Sequence, residues 1–200
     1  MLDRRLGSLL FSNYLNLFGF SLFTPLYALF ATQVGAGPEL VGISWSFYTF
    51  VTAVMVLLFG RLETRIKDPG KAVVAGYFLL AIGAAAFLLV DNIVELFVVQ
   101  AFNAIGAGML LPAWKATYAD DQHRGKETQQ WALYDGGNML FTAAGAAAGG
   151  IVLATAGFRG IFMVMAVLQF VAAIYSLRLV RGGKGRARKR ARPALRTKRA

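Results

Sequence analysis

Residues 6–31 read LGSLLFSNYLNLFGFSLFTPLYALFA, and residues 93–118 read IVELFVVQAFNAIGAGMLLPAWKATY. Each stretch is long and apolar enough for one helical crossing of about 30 Å of hydrocarbon, which takes about 20 residues. Displaced by 87 positions, the two overlay. Asn13 meets Gln100, Asn16 meets Asn103, Gly19 meets Gly106, Pro25 meets Pro112 and Tyr27 meets Trp114. The matched residues are uncommon types within apolar helices, and they fall in one register.

The overlay extends outward. Displaced by 86, residues 41–60 overlay 129–155, with Trp45 on Trp131, Tyr48 on Tyr134, Thr49 on Asp135 and Thr52 on Asn138. Two further apolar stretches, 72–90 and 160–180, complete six predicted transmembrane helices, although these two show no comparable match. All six are expected to be α-helices, because a strand edge facing lipid would leave backbone groups unpaired. A three-helix unit repeated after an odd number of crossings must run in opposite directions, so the pattern predicts a 3+3 inverted repeat. In secondary transporters such repeats place binding sites near the bilayer midplane, beside helices interrupted at corresponding positions. Pro25 and Pro112 supply a matched pair of interruptions.

Composition supports a membrane solvent. Of 200 residues, 57% are hydrophobic and 16% charged, against about 45–50% and about 25% in soluble domains. The net charge of +11 is mostly a tail: residues 181–200 hold ten Lys or Arg and no acid. This segment, 181–200, is expected to be a disordered basic tail beyond a bundle spanning 1–180. The apolar run after Arg4 and Arg5 is too long for a signal peptide and reads as a retained first helix. With the N-terminus inside, only Arg159 among the 21 basic residues falls on the outer side. The positive-inside rule therefore predicts a multi-pass protein of the cell membrane with both termini cytoplasmic.

The polar residues form helical stripes: Asn13 and Asn16; Trp45, Thr49 and Thr52; Gln100 and Asn103; Trp131, Asp135, Asn138 and Thr142. Spacings of three, four and seven put each set on one face. The first, second, fourth and fifth spans should thus face a polar interior and the third and sixth face lipid, Gln169 being the sixth span's polar exception. The amides read either as a cavity for a polar solute or as interhelical glue worth about 0.6–2 kcal/mol each. Asp135 lies about 9 Å below the cytoplasmic boundary at 1.5 Å per residue, and Lys115 lies at similar depth. An intramembrane acid is a functional suspect. The two are expected to form an ion pair, either a gate or proton or cation site, or a static packing contact with Lys115 snorkelling. Gly145 and Gly149 present a close-packing surface, and Asp120–Glu127 reads as a solvated connector.

These features resemble the major facilitator superfamily, whose halves each contain six helices built as three plus three. In that family the first, second, fourth and fifth helices of a half line the central cavity. The loop motif G-x-L-A-D-R-x-G-R-K is partly kept in Gly60-Arg61-Leu62-Glu63-Thr64-Arg65 and Gly70-Lys71, with Thr64 in place of the Asp. Gly106 and Gly108 match the two glycines of the fourth-helix R-x-x-x-G-x-G segment, whose Arg is absent here, Gln100 being the polar residue that precedes them. Gly145, Gly149 and Gly150 match the glycine-rich fifth helix without its Pro, and Ala156–Gly160 is typical of the approach to the sixth.

The resemblance implies a solute transporter protomer working by alternating access, with Tyr27 among the cavity residues and Pro25 and Pro112 as hinges. Because members normally have two such halves, it further implies a homodimer or a separate sister half. The competing reading is a non-transporting membrane scaffold that keeps the fold. An enzyme is not expected: the lone His123 lies in a polar loop, and no HExxH, paired-acid or phosphate-binding motif occurs. With no cysteine, neither metal nor cofactor is expected. The tail suits anionic headgroups; it lacks aromatic residues for base stacking, so nucleic acid is not expected.

Overall fold

The computed structural model describes residues 4–63 and 69–190, with Glu63 and 181–190 as backbone only. Arg65 of the loop motif and residues 191–200 of the tail lie outside the described residues. Helix α1 (Arg4–Phe23) passes through a 3₁₀ turn, Thr24–Leu26, into α2 (Tyr27–Gln33). Helices α3 (Pro38–Glu63), α4 (Pro69–Ala86, extended by a 3₁₀ turn at Phe87–Leu89), α5 (Ile93–Asp121) and α6 (Glu127–Arg190) follow. Among the described residues, five helical stretches are long and apolar enough to cross a membrane.

The two prolines act differently. Pro25 sits in the 3₁₀ turn that divides α1 from α2. Pro112 lies inside α5, which continues through it. The polar piece 156–159, expected as a connector, is not a loop. Its only non-helical residue is Gly157, at φ 65° and ψ −170°, backbone that essentially only glycine adopts. One residue thus divides α6 into two arms. The second arm is helical to Arg190, ten residues beyond the expected boundary; extending a formed helix needs no new nucleus.

Local caps define the other ends. Gly35, at φ 95°, follows α2, and Ala36 N–H donates to the Ala31 carbonyl at 2.9 Å, the six-to-one bond of a Schellman cap. Asn92 starts α5: its side chain accepts from Glu95 N–H at 3.0 Å, while the Glu95 carboxylate accepts from Asp91 N–H at 2.7 Å. An acid in the first turn also suits the helix dipole.

Helix α1 packs on α6, α3 on α5, and α4 on both α5 and α6. Within this chain α4, the third span, is the most enclosed of the apolar stretches, with Ile82 and Leu89 left exposed. Half of its apolar window is buried, against 6% for α3. Small residues explain this: a Cβ at Gly76 would lie 2.8 Å from Leu110 Cβ, so the α4 and α5 backbones nearly touch. Two cores result. One gathers Phe23, Phe30, Phe87 and Phe162, with the Phe23 ring 5.1 Å from those of Phe87 and Phe162. The other, where α1 begins, gathers Leu6, Leu9, Tyr77, Trp114 and Tyr118. The polar residues of α1 and α5 lie between them.

Candidate functional site

The expected polar interior divides into two pockets. The larger, about 220 Å³, is lined by Asn13, Asn16 and Phe20 of α1, Tyr48 of α3, Trp114 and Lys115 of α5, Tyr134, Asn138 and Gln169 of α6, and further apolar residues. Asn13 Nδ2 donates to Asn138 Oδ1 at 2.7 Å, which bonds α1 to the first arm of α6. Among the described residues, Asn16 Oδ1 and Gln169 Oε1 are buried with no hydrogen-bond partner. An unmatched buried acceptor costs roughly 1–3 kcal/mol, and both side chains lie in the wall of this pocket. Gln169 is 3% exposed and is the sixth span's polar residue at mid-depth; that isolation is its signal in the sequence, and its matchless span conceals it.

The smaller pocket, about 20 Å³, is lined by Tyr27, Trp45, Gln100 and Asn103 with Phe20, Tyr48 and other residues. Phe20 and Tyr48 border both spaces, their rings 6.5 Å apart. The Tyr27 hydroxyl joins Ser44 of α3 and accepts from Gln100 Nε2 of α5. Asn103 Nδ2 donates to its own helix at Val99 O, 2.9 Å away.

Tyr27→Phe therefore strips the acceptor from Nε2 of Gln100, a residue only 3% exposed. The expected cost is about 1–2 kcal/mol, seen as a lowered melting temperature in detergent. An unchanged melt would show that the hydroxyl does not hold α2, α3 and α5 together.

The remaining expected cavity residues line neither pocket. Thr49 and Thr52 donate within their own helix, to Trp45 O at 3.0 Å and Tyr48 O at 2.8 Å. Trp131 packs on Tyr118 and Tyr134, at 4.9 and 5.7 Å between ring centroids. Thr142 and Asp135 are exposed.

The expected Lys115–Asp135 ion pair is not formed among the described residues. Both side chains are exposed on the surface of this chain. An ion pair that does form joins Arg5 Nε to Asp121 Oδ2 at 3.1 Å. Asp121 is 6% exposed, the buried exception in a segment 120–127 whose other residues are exposed or half-buried. That segment is tied down elsewhere too: the Tyr118 hydroxyl donates to Gln130 O, and His123 N–H donates to Gln130 Oε1 at 3.0 Å.

The glycines sort clearly. Gly145 and Gly149 pack directly on α1 at Phe18, Ser21 and Leu22, whereas a Cβ added at Gly60 or Gly150 would meet nothing within 4 Å. Among the described residues no group of three or more His, Cys, Asp or Glu could hold a metal ion.

Comparison with known proteins places this architecture. No curated protein matches the chain. Its structure is similar to that of PepTSo, a POT family transporter, with a TM-score of 0.67 and 17% identity. The match covers 88% of this chain but 37% of that one, so the chain spans well under half of the solved transporter. At that identity the likeness speaks for the fold. The family model of the Major Facilitator Superfamily matches residues 9–199, nearly the whole sequence, and the chain therefore belongs to the Major Facilitator Superfamily, whose members are multi-pass membrane transporters.

Proposed function

We propose that this chain is one half of a secondary transporter, moving a small polar solute by alternating access around the 220 Å³ cavity. The observation that carries the reading is the set of four amides in the wall of that space, Asn13, Asn16, Asn138 and Gln169, with Asn16 Oδ1 and Gln169 Oε1 unmatched among the described residues. Fully satisfied amides would serve as glue; unmatched ones are what a solute with hydroxyl or amino donors would complete. Asn13, Asn138, Tyr48, Trp114 and Tyr134 shape the cavity. Lys115 at its wall and Asp135 nearby are the groups for gating or ion coupling.

Packing supports the inverted repeat. Exchanging the first with the fourth span and the second with the fifth exchanges α1·α6 contacts with α3·α5 contacts, and both pairs pack closely. Gly19 faces Leu168 and Met165 while its counterpart Gly106 faces Leu79 and Leu80. One aromatic pair corresponds as well: the Trp45 and Tyr48 rings stand 5.8 Å apart and those of their counterparts, Trp131 and Tyr134, 5.7 Å.

Six crossings follow from counting the α6 arms separately, and one cavity lined by both Arg4 and Arg178 supports placing both ends on one side, the cytoplasmic one. The exposed apolar residues of α3 and the first α6 arm, such as Phe50 and Met139 at 69% and 73% exposure, suit a second half, either another copy or a sister half.

Reconstitution into proteoliposomes with a panel of labelled polar solutes tests the reading. Uptake of at least one solute is expected. Asn16→Leu and Gln169→Leu should each weaken it roughly tenfold, the value of one hydrogen bond of about 1.4 kcal/mol. Asp135→Asn should alter its pH dependence. Folded, correctly inserted protein that accumulates nothing from the panel, or uptake indifferent to both amide variants, would sink the proposal.

A further inference from the structure

The beginning of α1 and the second arm of α6 border a further, open space of about 860 Å³, lined by Arg4, Arg5, Ser8, Phe11, Tyr175 and Arg178. Three guanidinium groups share it, and among the described residues no acid lines it. Arg5 is committed to Asp121. Arg4 and Arg178 are exposed. The Arg178 guanidinium lies 4.1 Å from the centre of the Tyr175 ring, and the Phe11 ring stands 4.7 Å from that of Tyr175. The aromatic pair therefore sets the position of one cation beside the other.

Polarity along α6 here is graded. Val171, Ile174, Tyr175 and Arg178 recur at three, four and seven and so share a face. Val171 and Ile174 are 45% and 59% exposed, and Phe11 of α1 is 44% exposed. Over two turns the surface passes from bare aliphatic, through aromatic, to cationic. A free phosphate would use the last part alone. An amphiphile uses all of it.

We propose that this space binds an anionic phospholipid, its phosphate between Arg4 and Arg178 and one acyl chain along Phe11, Ile174 and Val171. Guanidinium groups suit the phosphate because their paired donors match two of its oxygens. A zwitterionic headgroup would bring its own ammonium toward the two arginines and lose much of the gain. The position fits, because Arg and aromatic residues at helix ends sit at headgroup depth, where basic pockets between helices collect anionic lipid. In the sequence, the ten bases of 181–200 follow Arg178 and far outnumber the one acid, Asp3, that precedes Arg4.

Native mass spectrometry of the full chain in detergent, titrated with phosphatidylglycerol, phosphatidylcholine or inorganic phosphate, tests this. Arg4→Gln with Arg178→Gln should weaken phosphatidylglycerol binding roughly thirtyfold, from about 1 kcal/mol per base at the surface, and leave phosphatidylcholine binding unchanged. Arg4→Lys with Arg178→Lys should keep most of the binding at an unaltered melting temperature, which separates lost charge from lost fold. A full-length variant with its ten tail bases changed to Gln should still bind. Unchanged phosphatidylglycerol affinity in the double Gln variant would overturn the proposal. So would loss in the tail variant alone, which would make the tail the binding element, or displacement of the lipid by millimolar-range inorganic phosphate, which would mark a soluble-anion site.

Discussion

Gly149→Leu is expected to abolish folded, monodisperse protein, while Gly150→Leu one position away is expected to be tolerated. A Cβ on Gly149 would collide with the Leu22 carbonyl oxygen and lie 2.8 and 2.9 Å from the Leu22 carbonyl carbon and Cα. One turn earlier, a Cβ on Gly145 would lie 2.6 Å from Phe18 O and 2.9 Å from Ser21 Cβ. The obstacles are mostly main chain, which cannot rotate aside as a side chain would. Overpacking of a yielding core costs about 1–3 kcal/mol; a whole leucine against backbone must exceed that or part the helices. In lipid no hydrophobic force draws helices together, so close packing is itself the attraction between α1 and α6. Gly150 is exposed and has nothing within 4 Å of its would-be Cβ. Size-exclusion profiles and melting temperatures in detergent decide the matter: equal behaviour of the two variants would mean that α1 and α6 do not meet at this surface.

Arg5→Gln is the second large effect, an expected loss of about 2–3 kcal/mol. Breaking an enclosed ion pair by removing one partner typically costs about 3–5 kcal/mol. The discount reflects exposure, since the Arg5 side chain is 21% accessible while that of Asp121 is 5% accessible. The pair ties the start of α1 to the end of α5, helices that share little other contact. Asp121→Asn alone should also destabilise, because it strands the arginine at the rim. Arg5→Leu with Asp121→Leu should recover most of the lost melting temperature, since the charges then need no solvation. If the double replacement melted as low as Arg5→Gln, the loss would come from the packing of the arginine stem and not from its charge.

Much of this is legible in the chain's own order of residues. Apolar length locates the helices, because a bilayer imposes its thickness on each crossing. Gly145 and Gly149, one turn apart among alanines, announce a contact face, and α1 fills it. Asn13 and Asn138 both belong to the expected polar interior, and they bond to each other. Other residues are harder. Gln169 stands in a span with no match in the repeat. Thr49 and Thr52 share a stripe with Trp45, but a helical stripe says which residues share a side, not whether a hydroxyl reaches a neighbour or folds back on its own carbonyl. Lys115 and Asp135 have matching depths, yet depth is one coordinate of three. Asp121 looks like loop because charged residues surround it, and only the nearby start of α1 brings Arg5 against it.

The division follows from the range of the forces. Hydrocarbon thickness, the backbone's need for hydrogen bonds and the bias of cations toward one leaflet act on each helix separately, so composition and spacing along the chain suffice to express them. Which amides meet, which acid finds a cation and which span lies deepest depend on the rotation and separation of helices far apart in the chain. Those are set by a few close approaches, Gly149 on Leu22, Gly108 on Met55 and Gly76 on Leu110, whose partners no local pattern names.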